Sequence, residues 1–300
     1  MRLGLIVLLC LLNTGCALWR RDREEPVENG PRKEKAEPVL KPSEALKPES
    51  LDIASPVSDF FYMRGTYFQG AVATQLRLSS TGADPDFPDG DLTKIEDDFG
   101  LDDTIDQARI EADIRMGERN HVRLDYFKMD RFGQVISQRD VAVGDFDFDV
   151  GDTIRTKFDW RVMSLTYTYS LFRSERFEAG AGIGMHIVET KFEISEPGTV
   201  NRAQFTEVAP FVTIAVNAAY RISKRWAVTA RGQTFTLNRD DFEGTLSDYH
   251  ADIQYRWRKN FAIGLGYTKL FAELLLHDAD QPVFFNLDTN GPELFFRASF

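Results

Sequence analysis

Long hydrophobic runs are missing from most of this chain. After residue 17, no apolar stretch approaches the roughly 18 residues that a membrane-spanning helix requires. This absence excludes a bundle of membrane helices. The mean hydropathy of −0.32 resembles that of a soluble protein, but a β-barrel would give a similar average because its apolar residues alternate with polar ones.

Cysteine and positive charge are also scarce. The two cysteines are Cys10 and Cys16, and Cys10 lies in an apolar segment that export would remove, so no intramolecular disulfide is expected. The formal net charge of −11 argues against nucleic-acid binding, which normally uses a clustered basic patch. The sequence also predicts no cofactor.

Residues 1–17 have the pattern of a secretory signal peptide, with Arg2 before the apolar core Leu3–Leu12 and small residues after it. Two processing outcomes fit. Thr14-Gly15-Cys16 resembles the end of a bacterial lipobox, which predicts a lipidated Cys16, whereas Gly15-Cys16-Ala17 also fits ordinary cleavage after Ala17. Both outcomes predict an N-terminus in the periplasm.

Residues 18–58 mix acidic and basic side chains with scattered prolines and contain almost no aromatic residues. Such a segment cannot bury enough apolar surface to offset its conformational entropy. We therefore predict a disordered linker over 18–58 and a folded domain over 59–300.

Alternating residues dominate the folded domain. Between Asp159 and Phe172, one parity carries Met163, Leu165, Tyr167, Tyr169 and Leu171, and the other carries Ser164, Thr166, Thr168 and Ser170. Successive side chains of a strand point to opposite faces, so this pattern predicts a strand with one apolar face. In a soluble sandwich the apolar face would point inward, whereas in an outer-membrane barrel it faces lipid.

Ten such segments follow one another, and their connections differ in a regular way. Long polar connections follow strands one and three, at residues 81–104 and 132–157. Short turns follow the even strands, at residues 118–120, 173–176, 223–225 and 259–260. This asymmetry is typical of outer-membrane barrels and predicts a closed antiparallel transmembrane β-barrel of about ten strands. Eight or twelve strands remain alternatives, because residues 135–143 could form an extra hairpin.

The C-terminal segment Leu294–Phe300 alternates hydrophobic residues and ends on an aromatic one. It resembles the signature by which outer-membrane barrels are recognised for assembly. The body resembles a group of uncharacterised proteobacterial outer-membrane β-barrel proteins, small and porin-like, in the segments Glu96–Asp103, His121–Phe127, Val143–Phe146, Tyr167–Ser170 and Glu178–Gly182. The resemblance implies an outer-membrane location, contact with outer-membrane lipid and lipopolysaccharide, and recognition by the assembly machinery through Phe300. It implies no known activity and leaves the oligomeric state open.

The polar faces of the predicted strands carry many ionisable groups. They are Arg109, Glu111, Asp113, Arg115, Arg123, Asp125, Glu178, Arg231, Arg256 and Arg297. Because an isolated buried charge is very costly, we expect these groups to pair inside the barrel. The pattern favours an ion-paired plug over a small polar pore lined by the same charges.

Four residues are candidates for catalysis: His186, His250, Asp248 and Asp252. Some outer-membrane barrels are enzymes, and a barrel enzyme here would act on lipid A, phospholipid or peptide near the outer leaflet. A nucleophile and its base must lie within hydrogen-bond reach. The two histidines lie on strands that are not neighbours, so no catalytic role is assigned.

The first long connection contains Asp84, Asp86, Asp89 and Asp91. Clustered carboxylates suit hard cations such as calcium, but this spacing does not match an EF-hand loop. A solvated acidic loop is the preferred interpretation, and no metal is assigned.

Together these features predict a structural or small porin-like protein of the bacterial outer membrane. Two alternatives remain: the barrel enzyme, and a lipid-anchored soluble β-sandwich that acts as a binding module.

Overall fold

A computed structural model describes residues 55–80, 90–143, 145–199, 202–239, 242–276 and 282–300. The signal peptide, Cys16 and residues 18–54 of the linker lie outside the described residues. Within the described ranges, no helix is both long enough and apolar enough to cross a membrane.

Thirteen strands and one short helix make up the described fold. They are β1 (Phe61–Leu78), β2 (Thr93–Lys94), α1 (Ile95–Phe99), β3 (Thr104–Met116), β4 (Asn120–Ile136), β5 (Val141–Val143), β6 (Phe146–Phe148), β7 (Thr153–Arg173), β8 (Phe177–Ser195), β9 (Arg202–Arg221), β10 (Trp226–Arg239), β11 (Phe242–Arg256), β12 (Phe261–Leu276) and β13 (Val283–Ser299).

Ten long strands form one closed antiparallel barrel. Each pairs with the next long strand along the chain, and β13 pairs with β1 from Tyr62↔Ser299 to Leu78↔Val283. The predicted ten-stranded barrel is therefore confirmed, and the eight- and twelve-stranded alternatives are wrong. Closure of the ring also rules out the soluble β-sandwich.

The extra hairpin expected near residues 135–143 is present in a shifted position. Strands β5 and β6 pair only with each other, within the connection between β4 and β7. They do not enter the barrel wall, so they add nothing to its strand count.

The segment containing β2 and α1 packs against the wall beside the short strand β3. Helix α1 ends at Gly100, whose φ of +67° lies in the left-handed region that favours glycine. A Cβ atom at Gly133 on β4 would lie 2.6 Å from the carbonyl oxygen of Gly100. This close approach of two backbones needs the absence of a side chain at Gly133.

Some strands begin earlier than the alternation indicated. Strand β7 starts at Thr153, inside the connection predicted over 132–157, and β13 starts at Val283, well before the alternating segment Leu294–Phe300. In the outer part of β13 the buried inward residues are the apolar Phe285 and Leu287, while Asn286 faces outward. The apolar residues of this part thus face the lumen, whereas those of the membrane-spanning part face outward. A pattern of outward-facing apolar residues therefore does not indicate this part of the strand.

A band of apolar side chains covers the outside of the barrel. Its exposed members include Tyr67, Ile110, Leu124, Tyr126, Met163, Leu165, Ile183, Met185, Ile214, Val216, Ile253, Leu265, Tyr267, Leu294 and Phe296. Aromatic residues gather near the short turns, where Trp226 lies 5.0 Å from Tyr255. An apolar surface this extensive is unfavourable in water, whereas it matches the lipid-facing band and aromatic girdle of a membrane barrel.

The hydrophobic core fills the outer half of the lumen. Buried members on the strands are Phe68, Val72, Leu76, Phe127, Phe158, Trp160, Phe192, Phe211, Phe285 and Leu287. The connections contribute Ile95 and Phe99 of α1 and Phe148 of β6, all fully buried. The aromatic rings of Phe99 and Phe192 lie 5.9 Å apart. The predicted charge network therefore lies in the half near the short turns, while a separate pair, Arg131 with Glu96, lies beside α1.

A short turn lies at that other end. Ser58 and Asp59 both donate backbone hydrogen bonds of 2.8 Å to the Ser55 carbonyl, and Val57 and Asp59 are buried. Residues 55–58, which the sequence analysis assigned to the linker, thus form a turn beside the first barrel strand.

Candidate functional site

The charged half of the lumen begins at Asp59. Its Oδ2 atom accepts hydrogen bonds from Arg256 at 3.0 Å and from Arg297 at 2.8 Å. The Arg297 guanidinium also stacks over the ring of Tyr62, 3.6 Å from its centre. Because Arg256 and Arg297 belong to β11 and β13, one carboxylate ties the N-terminal turn to both strands.

Glu178 is the centre of a second cluster. Arg115 binds both of its oxygens, at 3.1 and 2.8 Å, and also donates to the Val57 carbonyl at 2.9 Å. His121 lies 3.1 Å from Glu178 and 3.1 Å from Asp113. This bidentate pairing holds β3, β4 and β8 together around a single carboxylate.

Arg64 and Glu111 lie deeper in the lumen. Arg64 pairs with Asp252 at 2.7 Å and with Glu293, and it stacks 3.6 Å from the Phe295 ring centre. Glu111 forms an ion pair with Arg231 at 2.7 Å and accepts a hydrogen bond from the Tyr62 hydroxyl at 2.5 Å. These contacts cross the lumen rather than following one strand.

Arg109 lies where the charged half meets the hydrophobic core. It binds Asp125 at 2.7 Å, Asp248 at 2.6 Å and the Nε2 atom of His250 at 2.7 Å. Its guanidinium lies 4.8 Å from the ring centre of Phe127. Phe127 in turn packs edge-on against Trp160 at 5.8 Å, so the ion pairs and the aromatic core are in direct contact.

The structure places all ten predicted network residues inside the lumen. Each of them except Arg123 forms an ion pair with a described residue. The Nε atom of Arg123 has no hydrogen-bond partner among the described residues. Arg123 lines a small polar cavity of about 70 Å³, partly open to its surroundings, with Arg231, Thr168 and Asn217.

Sequence reasoning missed four members of the network: Asp59, Arg64, His121 and Glu293. Arg64 has the same parity as the inward-facing Val72, so following that alternation towards the start of β1 would have found it. Glu293 has the parity of the buried Phe295 and Arg297. Asp59 precedes the first strand, so strand alternation could not reveal it.

His250 forms a hydroxyl–imidazole–carboxylate arrangement with two of its neighbours. Thr268 Oγ1 lies 2.7 Å from Nδ1, and Asp248 Oδ1 lies 2.8 Å from Nε2. However, the side chains of His250 and Asp248 are only 2% and 4% exposed, and the Thr268 hydroxyl donates to Glu293 at 2.7 Å. Glu293 and Arg109 thus occupy positions that a substrate would need, and the geometry favours a structural role.

The other two catalytic candidates lie in different contacts. His186 is buried, with Thr213 Oγ1 3.4 Å from its Nδ1 atom, and no hydrogen bond joins it to His250 in the described structure. Asp252 pairs with Arg64 and accepts from Thr229 at 2.7 Å. The structure therefore brings Asp248 and His250 together, but not the four candidates as one site.

Of the four aspartates considered for metal binding, Asp84, Asp86 and Asp89 lie outside the described residues. Asp91 accepts from the backbone of Ala142 at 3.2 Å and lies 3.8 Å from Arg139. Arg139 also binds Asp98 at 3.0 Å, and this hydrogen bond raises the pKa of the guanidinium. No group of three or more His, Cys, Asp or Glu residues in the described ranges could hold a metal ion.

One junction of the barrel wall is open on its outer side. Strands β9 and β10 pair from Ala227↔Arg221 only as far as Thr234↔Ile214. Beyond this point β9 remains paired with β8 up to Arg202, and β10 remains paired with β11 up to Arg239. The outer parts of β9 and β10 are therefore not hydrogen-bonded to each other.

A small recess of about 30 Å³, partly open to its surroundings, lies next to this opening. The unpaired part of β9 contributes Phe205, Glu207, Ala209 and Phe211, and the other lining residues are Trp160, Val188, Thr190, Thr245, Leu246, Ala272, Glu273, Leu274 and Phe285. The lining is mainly apolar. The recess thus borders the unpaired part of β9.

No protein-family model and no curated protein matches the chain. Solved structures share its fold. The outer membrane protease OmpT from Escherichia coli is 8% identical with a TM-score of 0.50, over 84% of this chain and 100% of OmpT. The transport unit of the autotransporter AIDA-I from Escherichia coli is 9% identical with a TM-score of 0.39, over 84% and 94%. The outer membrane protein OprG from Pseudomonas aeruginosa is 12% identical with a TM-score of 0.35, over 78% and 94%.

At these identities the likeness concerns the fold alone. The closed antiparallel ring, the apolar outer band and the fold of OmpT agree with one another. The chain is therefore an outer-membrane β-barrel protein.

Proposed function

We propose that this protein is a structural barrel of the outer membrane that does not conduct ions through its lumen. The supporting observation is that side chains fill the described lumen in two successive layers. The ion-paired network occupies one half, and the aromatic core that begins at Phe127 and Trp160 occupies the other.

Barrel size supports the same role. Porins with open aqueous channels have about 16–18 strands, whereas this barrel has ten long strands. A polar path through the charged half would have to continue past buried aromatic rings, which offer no hydrogen-bond partners to a hydrated ion. A porin-like role is therefore less favourable than a structural one.

Conductance in planar lipid bilayers tests the proposal. We expect no stable channel from the purified folded protein, with a known 16-stranded porin as the positive control. A matched variant that replaces both Phe127 and Trp160 by alanine removes the aromatic contact where the core meets the charged half, and we expect it to show larger current fluctuations. Stable ohmic channels from the wild-type protein would overturn the proposal.

We also propose that the N-terminus faces the periplasm, because the start of β1 at Phe61 and the end of β13 at Ser299 lie at the same end of the barrel as the short turns. A cysteine introduced at exposed Glu175, in the turn between β7 and β8, should resist an impermeant thiol reagent in intact cells. A cysteine at exposed Asp147 in β6 should react. The reverse labelling pattern would invert the orientation.

The terminal aromatic residue is proposed as the contact with the assembly machinery. Phe300 is 63% exposed and its backbone pairs with Phe61, donating at 2.8 Å and accepting at 3.1 Å. Phe300→Ala should leave these backbone bonds intact while lowering the amount of assembled barrel in cells. Equal assembly of Phe300→Ala and wild type, measured by heat-modifiable migration on gels, would contradict the contact.

A further inference from the structure

Arg123 is a buried cation that has no ion-pair partner among the described residues. It is 7% exposed, and its Nε atom has no hydrogen-bond partner in the described structure. The carboxylate opposite it on β3 is Asp113, which lies 3.1 Å from His121. A buried charge is very costly unless it is paired. Arg123 therefore needs an anion that the described part of the chain does not supply.

Arg231 brings a second guanidinium group to the same place. It forms an ion pair with Glu111 at 2.7 Å, but its Nη2 atom has no hydrogen-bond partner among the described residues. Glu111 and Asp113 are successive inward residues of β3, about 7 Å apart along the strand, and Arg123 lies opposite Asp113. The two guanidinium groups thus approach the same part of β3, and both line the polar cavity.

The other ionisable groups of the cavity wall are already paired with one another or with neighbouring side chains. Asp59 binds two arginines, Asp113 contacts His121, and Glu178 binds Arg115 and contacts His121. The charge that remains without a close partner is that of Arg123, together with the free edge of Arg231. The ionisable residues that line the cavity are Asp59, Tyr62, Arg64, Asp113, His121, Arg123, Glu178, Arg231 and Arg297. An anion beside the two arginines is therefore attracted more strongly than it is repelled.

The size of the cavity limits the ligand. One buried water needs roughly 10–15 Å³ of such space, so a cavity of about 70 Å³ holds about five non-hydrogen atoms. This is the size of a phosphate or sulfate ion, and it leaves no room for a lipid head group with its glycerol. Pro56 of the N-terminal turn lines the cavity, so we expect a small solute to enter from the end with the short turns.

The donors of the cavity match an oxyanion. A guanidinium group presents its N–H donors in a planar fork that binds two oxygens of one carboxylate, phosphate or sulfate. Thr168 and Asn217 also line the cavity, and their hydroxyl and amide groups are further donors. We infer that the cavity holds one small inorganic oxyanion, phosphate or sulfate, bound by Arg123 and Arg231. This ion completes the charge network of the lumen.

Equilibrium dialysis of the folded full-length protein against radiolabelled phosphate tests the site. The protein is kept in a maltoside detergent, which contributes no phosphate, and boiled protein serves as the blank. We expect one phosphate per folded barrel. Unlabelled sulfate should displace it, whereas chloride at the same concentration should not, and equal displacement by chloride would reject an oxyanion as the ligand.

Two arginine substitutions provide the matched comparison. Arg123→Gln keeps a polar side chain but removes the unpaired cation, and it should weaken phosphate binding at least about tenfold, since hydrogen bonds to charged groups contribute this much. Arg176→Gln removes an exposed arginine from the turn between β7 and β8, at the same end of the barrel. It should leave binding unchanged.

Urea unfolding separates a lost site from a lost fold. Without phosphate, Arg123→Gln should be no less stable than the wild type, because it removes a buried charge that lacks a partner. Added phosphate should stabilise the wild type more than Arg123→Gln, because a ligand that binds the folded state stabilises it. Absence of binding up to about 10 mM phosphate, equal binding by wild type and Arg123→Gln, or equal binding by boiled protein would overturn the inference.

Discussion

The contact between Asp59 and two arginines offers the sharpest test of how the lumen network stabilises the barrel. The Asp59 side chain is 1% exposed and binds Arg256 at 3.0 Å and Arg297 at 2.8 Å. Asp59→Ala removes this carboxylate and leaves both guanidinium groups buried without it. Removing one partner of a buried ion pair typically costs about 3–5 kcal/mol.

Other contacts of the arginines limit this cost. Arg256 still donates to the Lys259 carbonyl at 2.9 Å, and Arg297 still stacks on Tyr62. We therefore expect a loss near the lower limit, about 3 kcal/mol in the free energy of unfolding. Asp59→Asn keeps an oxygen acceptor and removes only the charge, so its loss should be smaller.

Urea unfolding of the protein in phospholipid vesicles, followed by the fluorescence of Trp226 and Trp257, measures this free energy. Asp147→Ala is the matched control, because Asp147 is exposed on β6, where substitutions usually change stability by less than about 0.5 kcal/mol. If Asp59→Ala lost no more stability than Asp147→Ala, the N-terminal turn would not be held by this carboxylate.

Three further substitutions test other parts of the barrel. Arg109→Ala leaves two buried carboxylates without their shared cation and should lower the free energy of unfolding by about 3–5 kcal/mol. The same urea titration measures this loss, and a loss below about 1 kcal/mol would refute the central position of Arg109 in the network. Phe99→Ala removes a fully buried ring that packs on Phe192. A cavity of this kind costs about 3–5 kcal/mol, and limited proteolysis should detect faster cleavage in the connection between β1 and β3, whereas an unchanged cleavage rate would argue against packing of that connection inside the lumen. Gly100→Ala forces a side chain into a backbone with a φ of +67°, which costs about 1–2 kcal/mol, and it should accelerate the same cleavage less than Phe99→Ala does.

Local pattern was sufficient to predict the strands that cross the membrane. Alternation from Met163 to Leu171 indicates which face of β7 is apolar, and this face is exposed as a lipid-facing surface should be. The contrast between short and long connections predicted the number of strands and the closed ring. Both are properties of neighbouring residues, so they can be read without knowing the rest of the fold.

The outer half of the barrel could not be predicted in this way. Above the membrane, inward residues such as Leu287 are apolar, because they form the protein's hydrophobic core together with α1 and β6. Alternation has the same period whether the apolar side faces lipid or the lumen. The role of each face therefore depends on where the strand leaves the membrane, and this is a property of the assembled barrel.

The sequence by itself thus predicted a barrel of about ten strands and assigned ten of its charged residues to the lumen, since the side-chain period of two assigns each residue of a strand to a face. Only the tertiary structure decided that Arg109 meets Asp248, 139 residues away, and that Asp59 binds two arginines beyond residue 255. The relative shift of neighbouring strands around the closed ring decides which side chains face each other across the lumen. The same shifts leave β9 and β10 unpaired beyond Ile214 and Thr234.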